Sequence, residues 1–282
     1  MNKHQVFKFN DGDNVLTGKT LIMGVLNITP DSFYDGGRYS SLDEAIKRAE
    51  QIVGEGADII DVGGESTRPG SDGVDVDEEM SRVLPVISEI RRRFEIPISI
   101  DTTKASVARA ALDKGAVIIN DISGLKFDPE IADVAAEYRA GLILMHTPSR
   151  PKDMQALTSY GSLLDDIKSS LSVSIELAQG KGVATESIVI DPGIGFGKTV
   201  LQNLQIIGHL NEFLTLGRPI LIGASRKSFI GRVLEADVDD RLEGTAATIA
   251  IAISRGASIV RVHDILQMKR VAKMADNILY FS

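Results

Sequence analysis

Polar residues recur at one end of otherwise apolar runs along this chain. Asn27 closes TLIMGVLN, Asp61 stands within ADIIDVGG, Asp101 closes PISID and Asn120-Asp121 close AVIIND. His146 closes GLILMH, Asp191 follows SIVI, Ser225-Arg226-Lys227 follow PILIGA, and Arg261-Val262-His263-Asp264 end the last run. Two chemical characters are mixed. Asp101, Asn120 and Asp191 accept and donate hydrogen bonds, which suits a flat, amide-like heterocycle. Arg68, Lys227, Arg261 and His263 form a cationic group suited to phosphate, in a chain of formal net charge −8. The side-chain oxygen of Asn27 suits a hard cation such as Mg²⁺, if a phosphorylated substrate brings one. Each residue also has a plainer reading. An Asp after a strand often caps the next helix, as Asp101 before Thr-Thr-Lys could; Asp264 before ILQMKR reads as a cap rather than a ligand, and Asp121 as a loop holder. Independent caps do not explain a mixture of Asn, Lys, Arg and His. Buried lone charges are expensive, so the set implies an occupant that pairs them.

The runs that carry these residues read as strands over 20–27, 57–64, 97–101, 116–121, 141–146, 187–193, 219–225 and 258–263. Helix-period stretches alternate with them. In the first, Ser41-Leu42-Asp43-Glu44 has capping-box spacing, with Ser41 as N-cap. Leu42, Ala45, Ile46, Ala49, Ile52 and Val53 follow on one face, and Gly54 and Gly56 stop it. Further helices fall on VDEEMSRVLPVISEIRRRF, KASVARAALDKG and DPEIADVAAEYRAG, near 162–181 and 200–216, and on RLEGTAATIAIAISRGA and ILQMKRVAKMADNIL. Strands apolar at nearly every residue are covered on both faces, which means a parallel sheet under helices. Eight such units fit a single TIM (β/α)8 barrel over 1–282, residues 1–18 being an N-terminal extension. A doubly wound sheet is the rival architecture, but no GxGxxG follows the first strand to mark its switch point. In a barrel the chemistry lies at the C-terminal ends of the strands, where these polar residues fall.

The chain has 282 residues, 43% hydrophobic and 25% charged, and no cysteine. That excludes disulfides, thiolate metal sites and a Cys nucleophile, and accords with a reducing cytoplasm. No run approaches the roughly 18 apolar residues of a membrane span, the N-terminus lacks a secretory h-region, and the acidic balance argues against a nucleic-acid partner. Two stretches need a reason beyond turning the chain. NITPDSFYDGG (27–37) places a proline and paired glycines straight after a buried strand. DPGIGFGK (191–198) has the look of a phosphate loop without Walker A spacing.

These stretches, with IIDVGGESTRPG (59–70), ISIDTTK (98–104), IINDISG (118–124), MHTPSRPKDMQ (145–155), IGASRKSFIG (222–231) and RVHD (261–264), resemble the successive motifs of the bacterial dihydropteroate synthases. The likeness covers the chain from residue 20 onward. It departs locally at the SRP that follows MHTP's histidine turn, where the family commonly has Gly-x-Pro, and at Ala224. The resemblance implies a TIM barrel that joins p-aminobenzoate to 6-hydroxymethyl-7,8-dihydropterin diphosphate, in folate biosynthesis, with Mg²⁺ as cofactor; it is a family that sulfonamides target. It implies that Asp101, Asn120, Asp191 and Lys227 hold the pterin. Thr67 and Arg68 would sit beside the pterin and p-aminobenzoate. Arg261 and His263, flanking Val262, would hold the diphosphate, and Asn27 would ligate Mg²⁺. Phe196, Ser225 and Arg226 would line the p-aminobenzoate pocket. Lys227, Asp101, Arg68, Arg261 and His263 would act in catalysis. NITPDSFYDGG becomes a mobile lid with Gly36-Gly37 as hinge, ordering with the segment after Thr67 when the diphosphate binds. A homodimer is implied through the later helices, where TAATIAIAI (245–253) is apolar nearly all round.

Three alternatives share parts of this pattern. A pterin-binding methyltransferase on the same barrel needs the Asp and Asn cradle but neither SRKS nor RVHD. A non-catalytic pterin-binding protein has no need of Asn27, Arg68 and His263 together. A phosphosugar aldolase would use Lys227 as a Schiff-base lysine, which borohydride trapping would expose.

Overall fold

A computed structural model describes residues 5–10, 12, 16, 18–28, 38–67 and 70–281, residues 38–41 by their backbone alone. Eight strands form a closed barrel: β1 (Leu21–Asn27), β2 (Ile59–Gly63), β3 (Ile98–Asp101), β4 (Ile118–Asp121), β5 (Gly141–Met145), β6 (Ile188–Asp191), β7 (Ile220–Ile222) and β8 (Ala257–Val262). Each pairs in parallel with the next, and β8 closes on β1. Around it run α1 (Arg38–Gly54), α2 (Val76–Arg93), α3 (Ala105–Asp113), α4 (Glu130–Glu137), α5 (Leu163–Gly180), α6 (Val200–Gly208), α7 (Ser228–Leu234), α8 (Leu242–Ser254) and α9 (Ile265–Tyr280). The barrel read from the sequence is the barrel observed.

Strand periodicity explains where the site lies. Successive side chains point to opposite faces, so alternate residues enter the lumen. Leu21, Met23, Ile59, Ile118, Ile143, Val189, Leu221 and Ile259 pack together as the inner layer, with Phe7 of the N-terminal extension against them. The intervening residues, such as Ile22, Ile60, Ile100, Ile119, Ile190 and Val260, pack outward under the helices. Burying each of these side chains contributes roughly 1.5–3 kcal/mol. Two residues beyond Ile59, Ile118, Val189 and Ile259, on the same lumen-facing parity, stand Asp61, Asn120, Asp191 and Arg261. Asp101 follows Ser99 in the same way, and Asn27 follows Met23 by four. The lumen therefore changes from apolar to polar within one layer of side chains. At the apolar end Phe7 fits only because residue 141 is glycine: a Cβ there would lie 2.7 Å from the Phe7 ring.

Several local expectations need correction. Ser41 is not an N-cap, because α1 begins at Arg38 and runs through it; the first strong helix breaker upstream is Gly37. Well-formed N-caps stand instead at Asp75 of α2, whose carboxylate accepts from the Glu78 amide at 2.7 Å, and at Thr199 of α6, which makes a full capping box with Gln202. The helix expected over 200–216 ends at Gly208 and continues as a 3-10 turn, Leu210–Leu216. The short α7 was not foreseen, since its seven residues are fewer than helical periodicity needs to declare itself. Residues 29–37, which hold most of the expected lid and its expected Gly36-Gly37 hinge, lie outside the described residues, as does Arg68.

Candidate active site

Arg261 of β8 reaches across the polar end of the lumen to two carboxylates. Its Nε donates to Asp61 Oδ2 at 2.6 Å and an Nη2 hydrogen to Asp101 Oδ2 at 2.8 Å. Asn120 Nδ2 also donates to Asp61 Oδ2, at 3.1 Å. Asp61 is fully buried, and its Oδ1 has no partner among the described residues. Burial pushes the Asp101 carboxyl up to about 7, the Arg261 charge opposing that shift and Asp61 adding to it. Sequence reasoning noticed Asp61 at a strand end and gave it no role. The lumen-facing parity that selects Asp101 and Asn120 selects Asp61 as well.

Asp191, at the end of β6, is 6% exposed, and its Oδ1 accepts from the Gly193 amide at 2.7 Å. Burial raises its pKa, against the pull of Lys227 and that amide. The glycine-rich loop then folds back under Lys227, whose Nζ donates to Ile194 O and lies 4.5 Å from the Phe196 ring centroid. Burial lowers the Lys227 ammonium to about 8, with Asp191 supporting the charge. The loop is tight enough to require glycine. Gly193 has φ +74°, and a Cβ on it would come within 2.0 Å of His146 O. GIGFG is thus explained by close backbone approach rather than by a phosphate-binding turn.

The remaining residues divide by position. Asn27 Oδ1 and Asp101 Oδ2 lie 3.6 and 3.7 Å from where a Gly63 Cβ would stand, so Gly63 leaves the two side chains facing one space. The Asn27 amide makes no side-chain hydrogen bond among the described residues. His263 stands exposed at the rim, its Nδ1 3.1 Å from Ser225 Oγ. The surrounding protein and the Arg261 charge hold its ring below the usual imidazole range. Arg226 has φ +57° and forms a two-point pair with Asp264 at 2.9 and 2.7 Å. Asp264 therefore does not cap α9 through its side chain: the guanidinium outcompetes the backbone amides for both oxygens. Asp121 holds its loop as expected, accepting from Ser123 and Leu125 amides at 2.7 and 2.6 Å. Val262 faces outward into the layer under the helices, so only its backbone is turned toward a ligand's side. Thr67 lies half-buried on the loop after β2.

A second network behind that loop escaped sequence reading. Lys104 Nζ joins Glu65, just beyond β2, to the fully buried side chain of Glu79 in α2. Burial raises the Glu79 pKa against this pairing. The partners lie 39 and 25 residues from Lys104, too far apart in sequence for any motif to connect them.

Three buried carboxylates, Asp61, Asp101 and Asp191, thus face two cations, Arg261 and Lys227. Burial and the neighbouring carboxylates favour the protonated form of Asp101, and the Arg261 charge opposes them. The chain belongs to the pterin-binding enzyme family, whose model matches residues 23–263. It is 52% identical over 261 residues to the dihydropteroate synthase of Bacillus subtilis, covering 93% of this chain and 89% of that one. Among solved structures it resembles the Clostridium difficile dihydropteroate synthase, solved in the presence of pteroic acid, with TM-score 0.88 and 48% identity over 96% and 98% of the two chains. It also resembles the Yersinia pestis enzyme in complex with a sulfonamide drug, with TM-score 0.91 and 37% identity over 99% and 100%. The resemblance to bacterial dihydropteroate synthases is borne out.

Proposed function

We propose that this chain joins p-aminobenzoate to 6-hydroxymethyl-7,8-dihydropterin diphosphate, releasing diphosphate and 7,8-dihydropteroate for folate biosynthesis. The observation that carries the reading is the cluster of buried carboxylates, Asp61, Asp101 and Asp191, gathered around Arg261 and Lys227 at the polar end of the lumen. A pterin methylene that becomes cationic as diphosphate leaves meets these carboxylates in the transition state and not before, which is where binding accelerates a reaction.

Asp191 and Asn120 read the exocyclic amine and ring N–H of the pterin, while Lys227 donates to its acceptor edge. Arg261 and His263 take the diphosphate, and Thr67, on the loop after β2, stands beside the pterin. The bond between the methylene carbon and the bridging oxygen breaks, its electron pair leaving with the diphosphate. Asp101 faces the carbocation, and the neutral amine of p-aminobenzoate, seated by Phe196, Ser225 and Arg226, forms the new C–N bond. The surplus proton leaves the nitrogen for the departing phosphate or solvent. Water, the competing nucleophile, has to be kept from that carbocation. Asn27 offers one free oxygen, and the described residues hold no cluster of three acidic, His or Cys ligands; this fits Mg²⁺ carried largely by substrate phosphates. Mg²⁺ there would neutralise charge on the leaving group. Incubating the protein with both substrates and Mg²⁺ should give dihydropteroate and diphosphate in equal amounts, and a chelator should stop it. No product under those conditions refutes the reading.

Activity should depend on pH through both lumen charges. Asp101 must be ionised, so kcat/KM of the free enzyme should rise as pH climbs through about 7. Lys227 must be protonated, so it should fall above about 8. Asp101→Asn should erase the acid limb and slow the reaction. A wild-type profile without an acid limb near neutrality contradicts the assignment.

The same reading makes the protein a cytoplasmic homodimer and a sulfonamide target. No helix among the described residues is long and apolar enough to cross a membrane. Support for the dimer comes from α8 and α9, which leave an open apolar groove lined by Ala246, Ala250, Val271, Met274 and Ile278; Ile251, Met274 and Ile278 are each about half exposed or more. Such patches mark association surfaces. Sedimentation equilibrium should find twice the 30.4 kDa chain mass, reduced to one chain by Ala250→Glu. A wild-type monomer at micromolar concentration contradicts it.

A further inference from the structure

Lys198 closes the glycine-rich loop from inside and takes no part in the chemistry above. It is 4% exposed. Its Nζ donates to Gly193 O and Phe196 O, both at 2.9 Å, and lies 3.1 Å from His146 Nδ1. An ammonium has three N–H donors, and three neutral acceptors meet them. It forms no ion pair with a carboxylate among the described residues. A buried ammonium is costly unless its donors are met, and with Asp191 supporting this one only through space all three acceptors must stay in place. The third contact needs His146 neutral, with Nδ1 as acceptor. Burial and the Lys198 charge hold that imidazole down to about 2, and burial pulls Lys198 itself to about 7.

A second hook grips the same loop from α6. Asn203, 2% exposed, accepts from the Gly195 amide through Oδ1 at 2.6 Å and donates through Nδ2 to Thr199 O at 2.8 Å. Between the hooks lie Ile194 O and the Phe196 ring, the two groups that Lys227 Nζ touches. Of the pterin contacts, Asp101 and Asn120 need neither hook, because each ends a strand held by its own ladder, whereas Asp191 and Lys227 meet the loop at the Gly193 amide and Ile194 O.

We propose that Lys198 is a positioning residue that fixes the Phe196 wall of the site, and so selects for the aromatic amine without touching either substrate. The proposal rests on the synthase reading. Lys198→Met keeps the length of the side chain and removes the donors. It should raise the KM for p-aminobenzoate about tenfold or more, while the KM for the pterin diphosphate stays within about threefold. A merely structural lysine would lower the melting temperature and leave the ratio of the two KM values unchanged. Should Lys198→Met fail to fold, Asn203→Ala releases the loop at Gly195 and should give the same split. The two KM values moving together, or neither moving, would overturn the proposal. Absence of synthase turnover in the wild-type chain would instead refute the reading beneath it.

Discussion

Lys227→Ala is expected to reduce turnover by about a hundredfold or more, the scale of losing one preorganised charge aimed at the reacting group. The fold should survive. Lys227 stands beyond β7 at the start of a seven-residue helix, and among the described residues its ammonium contacts the Ile194 carbonyl and the Phe196 face, with Asp191 supporting its charge through space. Truncation removes an ammonium that burial already disfavours, so the melting temperature should move by no more than about 4 °C. Circular dichroism and steady-state kinetics on one preparation read both quantities. Near wild-type turnover would remove Lys227 from the site; a large drop in melting temperature would make it a structural residue.

The second large effect separates the two halves of the barrel mouth. Asp191→Asn keeps an oxygen for the Gly193 amide, so the loop is spared, but its amide hydrogens then face the donors of the pterin edge. Leaving such donors unpaired costs about 1–3 kcal/mol, more where the lost partner was charged. Free hydroxymethylpterin and its diphosphate should weaken by similar factors. His263 stands at the rim against Ser225, where the proposed site puts the diphosphate and not the ring. His263→Ala should therefore weaken the diphosphate ester and leave the free pterin's affinity unchanged. Calorimetric titration of both ligands into both variants gives four affinities. If His263→Ala loses the free pterin as severely as the ester, the division into ring-reading and phosphate-holding residues is wrong.

The barrel was legible because its strands are apolar on both faces and its polar residues fall at one end of each. Parity carried more than the reading took from it. Counting in twos from Ile59 or Ile259 assigns Asp61 and Arg261 to the lumen and turns Val262 outward, and that geometry is already present in the order of residues. Asp264 shows the opposite limit. Its position before ILQMKR is that of a cap, yet Arg226, 38 residues away in sequence, holds both its oxygens; no local pattern announces a competing guanidinium. Lys198 looked like the end of a phosphate loop, because a lysine after glycines reads as a ligand contact. Its burial against three neutral acceptors depends on His146, which the barrel brings alongside from the neighbouring strand end. Ser41 misled for a simpler reason: capping-box spacing within a helix is indistinguishable from capping-box spacing at its start.

The central claim is that the carbon–oxygen bond of the pterin methylene breaks while the lumen carboxylates hold the resulting cation. Placing ¹⁸O in the oxygen that bridges the methylene to phosphorus tests it directly. With p-aminobenzoate, Mg²⁺ and the purified chain, every molecule of dihydropteroate formed should release one diphosphate, and all of the label should be found in that diphosphate. Label recovered in hydroxymethylpterin, which means attack at phosphorus, or label left in unreacted substrate with no dihydropteroate made, would contradict the account.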